Sequence, residues 1–253
     1  MSEPVVAEPR AESLIAVVLA GGFGTRIRHL HPDVPKPMIP VAGKPFLEWV
    51  IRYLAREGVK RIIVSTGFRG EVVERYFADH PLDSVAVRCV REQEPLGTAG
   101  GFLHATRDIA PPPSAWLVLN GDSLAPAPLD KLMTLLTDGT TLGAVLGVTV
   151  SDAGRFGTLR AGDGGELLGF VEKRPGAGVI NAGVYLFRPE LVRLFPKRLP
   201  LSFEADVFPA LTAEQRKLKV CVTDAPFLDI GTPESLPLAE SFIQASGLSS
   251  LTA

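Results

Sequence analysis

Cysteine is scarce in this chain: Cys89 and Cys221 are the two among 253 residues. They lie far apart in apolar, strand-like stretches, which favours buried thiols over a disulfide and so a reducing compartment. Also lacking is any apolar run near the roughly 20 residues that a membrane helix requires. Residues 1–13 are polar and acidic, unlike a signal peptide. The expected location is the cytoplasm, with no membrane partner. Charge of one sign is lacking as well, since 26 basic and 28 acidic residues are interspersed to a formal net charge of −2. That balance leaves no broad basic face for nucleic acid. A phosphate ligand would have to meet a local cluster of cations.

A 46% hydrophobic content is ample for one large core. Residues 1–13 carry no apolar periodicity and are expected to be a disordered tail, leaving 14–245 as a single domain. The run Leu-Ile-Ala-Val-Val-Leu-Ala at 14–20 is apolar throughout, as in a strand buried on both faces. Similar runs recur at Arg61–Thr66 and 115–120. Between them Phe46, Val50, Tyr53 and Leu54 fall at helical spacing, and 71–77 and Thr98–Thr106 also read as helices. This alternation predicts an α/β fold with a mainly parallel sheet flanked by helices. Strands expected at Gly143–Val150, 158–160, 166–172 and 179–187, with glycine-rich turns, predict a small antiparallel or mixed extension. A closing helix is expected over 233–244.

The first strand runs directly into Gly21-Gly22-Phe23-Gly24-Thr25-Arg26, with Pro35-Lys36-Pro37 ten residues on. Glycines at 21, 22 and 24 let the backbone approach a ligand and turn N–H groups toward an anion. Arg26 offers a fork for phosphate oxygens, and Lys36, between two prolines, a positioned point charge. A dinucleotide fingerprint would need a glycine at Ile27 and an acidic residue ending the second strand. A P-loop would need Gly-Lys-Ser/Thr opening a helix. Neither pattern is met.

Two carboxylates stand out. Asp122, in Asn120-Gly121-Asp122, follows an apolar strand, at the sheet edge where open α/β folds bind ligands. Asp229, in Leu228-Asp229-Ile230-Gly231, is acidic within an apolar stretch. Taken singly, each also suits a turn or a helix cap. Meeting across a phosphate site, they would bind Mg²⁺, which takes oxygen ligands and shares them with substrate phosphates. Thr98 reads as a helix N-cap, and Glu172-Lys173 as a surface ion pair. His29 and His31 have no third partner for a metal and read as loop residues.

The segments Leu19-Ala20-Gly21-Gly22-Phe23-Gly24-Thr25-Arg26 and Pro35-Lys36-Pro37 resemble the signature of the sugar-1-phosphate nucleotidyltransferases, which have a GT-A-like, Rossmann-like fold. The resemblance runs from Leu14 to about Leu238. It implies that Leu19, Ala20, Gly21, Gly22, Gly24 and Thr25 hold the nucleotide, with Arg26 and Lys36 on its phosphates. It also implies that Asp122 and Asp229 bind Mg²⁺ and that the loop containing Gln93, Gly97 and Thr98 reads the base. Gly121, Glu172, Lys173 and Asn181 fall at sugar-binding positions, Lys173 on the sugar phosphate. Catalytic roles pass to Arg26, Lys36, Asp122, Lys173 and Asp229.

Where many relatives have Pro-Leu-Thr after the arginine, this chain has Arg28-His29-Leu30-His31-Pro32-Asp33-Val34-Pro35. With Gly43-Lys44-Pro45-Phe46-Leu47, Glu94-Pro95-Leu96-Gly97-Thr98-Ala99-Gly100-Gly101 and Leu201-Ser202-Phe203-Glu204-Ala205-Asp206, it is most similar to the heptose 1-phosphate guanylyltransferase branch. The resemblance implies GTP and D-glycero-α-D-manno-heptose 1-phosphate as substrates. Ser202-Phe203-Glu204 equally suits a helix cap. The alternatives are a uridylyl- or thymidylyltransferase for another sugar phosphate, or a non-catalytic sugar-nucleotide sensor.

Overall fold

The computed structural model describes residues 9–27, 29, 31–32, 34–171 and 175–250. Strand β1 (Ile15–Ala20) is followed by a small hairpin, β2 (Pro40–Val41) and β3 (Lys44–Pro45), and by helix α1 (Phe46–Arg56). Then come β4 (Arg61–Thr66), α2 (Gly70–Asp79), β5 (Ala86–Arg91), α3 (Thr98–Thr106), β6 (Trp116–Asn120), β7 (Ser123–Leu124) and α4 (Leu129–Thr134). The second half holds β8 (Gly143–Val150), β9 (Thr158–Ala161), β10 (Leu167–Val171), β11 (Gly178–Phe187) and α5 (Pro189–Val192). A π-helical turn (Phe203–Val207) leads into α6 (Phe208–Ala213), β12 (Leu218–Thr223), β13 (Leu228–Asp229) and α7 (Ala239–Ala245).

Nine strands form one mixed sheet with the path β10-β9-β11-β6-β1-β4-β5, and β8 and β12 branch from β11. The pairs β1–β4, β1–β6, β4–β5 and β8–β12 are parallel, whereas β11 runs antiparallel to β6, β8 and β9. The alternation of side chains sorts this sheet into two cores. Ala16, Val18, Ala20, Ile62, Val64, Leu117 and Leu119 face α1, α2, α4 and α7. Ile15, Val17, Ile63, Trp116 and Val118 face α3 and α6. Burial on both faces is why β1 carries no polar alternation. The second core concentrates the aromatics, with Phe102, Tyr185, Phe187, Phe195, Phe203 and Phe208 in mutual contact.

Two differences from the expected elements have local causes. Part of the expected tail is folded: Ala11–Ser13 makes a 3₁₀ turn, and the Ser13 hydroxyl bonds that of Ser114 at 2.6 Å. The closing α-helix starts only at Ala239, because Pro237 has no N–H to continue a ladder, and Leu236–Leu238 forms a 3₁₀ turn instead. The strand-like stretches around the two cysteines are the edge strands β5 and β12, and their mixed polar and apolar residues, Ala-Val-Arg-Cys-Val-Arg and Leu-Lys-Val-Cys-Val-Thr, mark their partial exposure. Cys89 and Cys221 lie on these two strands and are free thiols, burial pushing Cys89 up to about 11. Among the described residues no helix is long and apolar enough to cross a membrane.

The strand that carries Asn181 is β11. From Gly178 to Asn181 it pairs with β8 in one register, and from Tyr185 to Phe187 in another shifted by two residues. Ala182 and Gly183 belong to the resulting bulge, where Gly183 adopts φ +69°. An added Cβ at Gly183 would collide with Asn120 at the end of β6, so the two strands approach closely there.

Candidate active site

The carboxyl ends of the parallel strands β1, β4 and β6 open on one edge of the sheet, and the functional loops leave from there. After Ala20 the chain turns through the glycines toward the Pro35-Lys36-Pro37 turn. Lys36–Met38 is a short 3₁₀ segment, with Pro37 within its first turn. This geometry buries Lys36 to 9% exposure and turns its ammonium inward. The Lys36 Nζ donates to Asp122 Oδ2 at 2.7 Å and to Asp229 Oδ1 at 3.1 Å. Asp122 follows β6, and Asp229 ends β13, which pairs with β7 so that Asp229 stands opposite Ser123. The Gly231 N–H caps Asp229 Oδ1 at 2.6 Å. Residues 86 and 193 positions from the lysine thus meet at one nitrogen.

Above this triad is a cavity lined by Leu19, Ala20, Gly22, Gly24, Thr25, Arg26, Lys36, Pro37, Asp122 and Gly231. Arg26 and Thr25 are exposed at it. Exposed backbone of the glycine turn beside two cations is a setting for a polyphosphate. The neighbouring cleft, about 280 Å³, is lined by Leu19, Gly21, Gly22, Phe23, Glu92, Pro95, Gly97, Thr98, Asn120 and Asp122. It has a half-exposed aromatic face, Phe23, which leans on Phe68 with ring centroids 5.7 Å apart. Two glycines line it at close approach, Gly21 to a side-chain end and Gly97 to backbone. A Cβ on Gly21 would stand 2.9 Å from Glu92 Oε1. On Gly97, whose φ is +78°, it would stand 2.5 Å from the Leu201 carbonyl oxygen.

Glu92, Phe23 and Asn120 lie in this cleft although the sequence reading gave them no role. An exposed aromatic inside a glycine-rich turn was the available signal for Phe23. Gln93, expected to read the base, is exposed and outside the lining of both cavities. Its neighbour Glu92 points inward, accepting hydrogen bonds from Ser65 Oγ at 3.2 Å and the Leu96 N–H at 3.1 Å. Thr98 is the first residue of α3 and not its N-cap, which is Gly97; its hydroxyl accepts the Phe203 N–H at 3.0 Å. Gly121 is buried, with its N–H bonded to the Leu19 carbonyl at 2.8 Å. Asn181 contacts Tyr185 and Glu204. Glu172 and Lys173 lie outside the described residues.

The pairing of Asp122 and Asp229 also tests the site for a metal. One oxygen of each already reaches a single positive centre, and two converging carboxylates are the donors a hard divalent cation takes. Among the described residues no three His, Cys, Asp or Glu side chains cluster for a metal. The pair would therefore leave coordination positions for phosphate and water, the arrangement typical of Mg²⁺.

The sequence profile described as "Nucleotidyl transferase" matches residues 15–246. D-glycero-alpha-D-manno-heptose 1-phosphate guanylyltransferase of Campylobacter jejuni is 33% identical over 220 residues, which cover 87% of this chain and 95% of the relative. Mannose-1-phosphate guanylyltransferase of Mycobacterium tuberculosis is 34% identical over 222 residues, 87% of this chain but 61% of that longer protein. The crystal structure of HddC from Yersinia pseudotuberculosis complexed with GMP-PN superposes with a TM-score of 0.79 at 35% identity, covering 90% of this chain and 98% of that one. A profile match over nearly the whole folded chain, together with relatives at this identity, establishes that the chain belongs to the nucleotidyl transferase family.

Proposed function

We propose that this protein transfers GMP from GTP to D-glycero-α-D-manno-heptose 1-phosphate, releasing pyrophosphate, with Mg²⁺ as its metal and the cytoplasm as its location. The observation that carries the reading is the meeting of Lys36, Asp122 and Asp229 beneath the glycine turn, beside a cleft of about 280 Å³. The family generally uses a divalent metal. Bound by Asp122 and Asp229, Mg²⁺ would neutralise charge on phosphate oxygens. The heptose acceptor is favoured by relatives of that name matched over 95% and 98% of their length.

The chain's own residues supply placement and charge. The glycine turn and Arg26 hold the triphosphate, and Lys36 swings its ammonium between the carboxylates and the phosphates. An oxygen of the sugar phosphate attacks the α-phosphorus in line, a new P–O bond forms, and the bond to the β-phosphate breaks with pyrophosphate leaving. No side chain abstracts a proton, because a phosphate monoester is already ionised at neutral pH. Gly121, Glu172, Lys173 and Asn181 form the acceptor side, with Lys173 on its phosphate. Glu92 favours guanine. A carboxylate is acceptor-only, and guanine presents two adjacent N–H donors on its pairing edge.

Pyrophosphate release over a matrix of four NTPs and a panel of sugar 1-phosphates is the test. The expected result is a maximum at GTP with the heptose phosphate, at least about tenfold above mannose 1-phosphate in kcat/KM, a gap of about 1.4 kcal/mol. Mannose 1-phosphate is the second reading, favoured by the mycobacterial relative at 34% identity. Preference for it would overturn the heptose assignment. Release with no pair would move a non-catalytic sensor ahead.

A further inference from the structure

The side chains around the β11 bulge point to a division of labour on the acceptor side. Asn181 Oδ1 accepts the Gly183 N–H at 3.0 Å, while its Nδ2 donates to Tyr185 Oη at 2.9 Å and to Glu204 Oε1 at 2.8 Å. A primary amide has two N–H donors and two acceptor lone pairs. Both donors of Asn181 are therefore committed. One of its partners is fixed, since Tyr185 is fully buried among Phe187, Phe203 and Phe208. The other partner, Glu204, is exposed, and among the described residues its Oε2 has no hydrogen-bond partner.

Glu204 sits in the π-helical turn, which is anchored to the donor side. Ser202 Oγ accepts the Ala205 N–H at 3.2 Å, and the Phe203 N–H is held by Thr98 in the wall of the base cleft. On its other side the bulge abuts Asn120, which lines the same cleft. Glu204 is thus tied to residues of the donor cleft on two sides, through the adjacent Phe203 to Thr98 and through Asn181 and Gly183 to Asn120.

We infer that Glu204 is the side chain that binds acceptor hydroxyls and that Asn181 is a positioning residue acting through it. The inference rests on the sugar 1-phosphate reading above. A carboxylate oxygen can accept a hydroxyl proton in a charge-assisted bond, about twice as strong as a neutral one. The amide of Asn181 cannot donate to the sugar without releasing Tyr185 or Glu204. The ligand class is a polyhydroxylated sugar phosphate presenting a hydroxyl donor toward this turn.

A double-mutant cycle separates the two roles. Initial rates are measured at saturating GTP with the sugar phosphate varied, using wild type, Glu204→Ala, Asn181→Ala and the double variant. GTP affinity by calorimetry serves as the control for an intact donor site. Glu204→Ala should raise the acceptor KM by about tenfold, more than it lowers kcat, as loss of one charge-assisted hydrogen bond implies. Asn181→Ala should raise it less, and in the Glu204→Ala background should add no more than about twofold. Multiplying effects would mean that Asn181 touches the sugar itself and would overturn the assignment. If GTP binding falls in the alanine variants, Glu204→Gln decides, because it retains an acceptor for Asn181 and removes only charge. An unchanged acceptor KM in that variant rejects the inference. A wild type that turns over no sugar phosphate rejects the acceptor reading and this inference with it, a result distinct from active wild type matched by its Glu204 variants.

Discussion

Lys36→Met removes the ammonium between Asp122 and Asp229 while keeping a side chain of similar length. The Lys36 side chain is 8% exposed, but those of Asp122 and Asp229 are 38% and 22% exposed. Breaking a fully buried pair costs about 3–5 kcal/mol. Water reaching both aspartates reduces that to about 2 kcal/mol. In a chain of this size each kcal/mol moves Tm by about 2–4 °C, so the variant should melt about 4–8 °C lower in the presence of a chelator. The two carboxylates would then be free to take a divalent cation without displacing the lysine. A cation present at a hundred times its dissociation constant contributes about 2.7 kcal/mol, enough to restore the loss. Scanning calorimetry of wild type and variant, each in chelator and in excess Mg²⁺, measures the four states. Mg²⁺ should raise the variant's Tm more than the wild type's. An equal response, or no loss of Tm in chelator, would refute the view that the lysine and a divalent cation share one pair of carboxylates.

Asp122→Asn and Asp229→Asn should each lower turnover by several orders of magnitude with the fold intact; more than about a tenth of wild-type turnover in either would remove the shared-metal assignment. Gly97→Ala should destabilise the protein by about 3 kcal/mol or more in urea titration, since it strains φ +78° and drives a methyl to within 2.5 Å of a backbone oxygen. Unchanged stability would mean that the 97–101 and 201 backbones separate easily. Burial would raise the carboxyl of Glu48, yet bonds from Tyr76, Arg52 and Lys44 outweigh it and hold the group below its ordinary 4.5. Its ionised form thus stabilises the fold above that value and ceases to do so as pH falls through the lowered one. Glu48→Gln should flatten the loss of stability below about pH 4.5, and parallel acid-unfolding curves would refute this.

The sheet was legible because its central strands are apolar on both faces, and Asp122 was visible as a carboxylate ending such a strand. What the sequence does not display is convergence. Lys36 and Asp229 are 193 residues apart, and the β7–β13 pairing, with the Ile230 N–H on the Asp122 carbonyl, brings the aspartate to the lysine. Which of Glu92 and Gln93 faces the cleft depends on which way the chain turns just after β5, where strand alternation no longer applies. There the Glu92 N–H bonds the Thr66 carbonyl, keeping Glu92 beside Gly21. Taken alone, α3 offers Thr98 as its cap; in the fold Gly97 takes that place, and the hydroxyl accepts the N–H of Phe203 on a distant segment.

The shift in register along β11 is two residues, an even number, and so leaves the faces of the strand unchanged. Side chains four apart in a regular strand would have Cα atoms about 13 Å apart. Here the polar ends of Asn181 and Tyr185 come within 2.9 Å of one another on the same face. Losing or gaining one residue in this stretch would turn either Asn181 or the aromatic core to the wrong side of the sheet. Removing Ala182 and Gly183 together, or inserting a second pair, would preserve both. Changes of length in this part of the strand thus keep both faces in place only in steps of two, and designed variants that move Asn181 relative to the aromatic core should be built in the same increment.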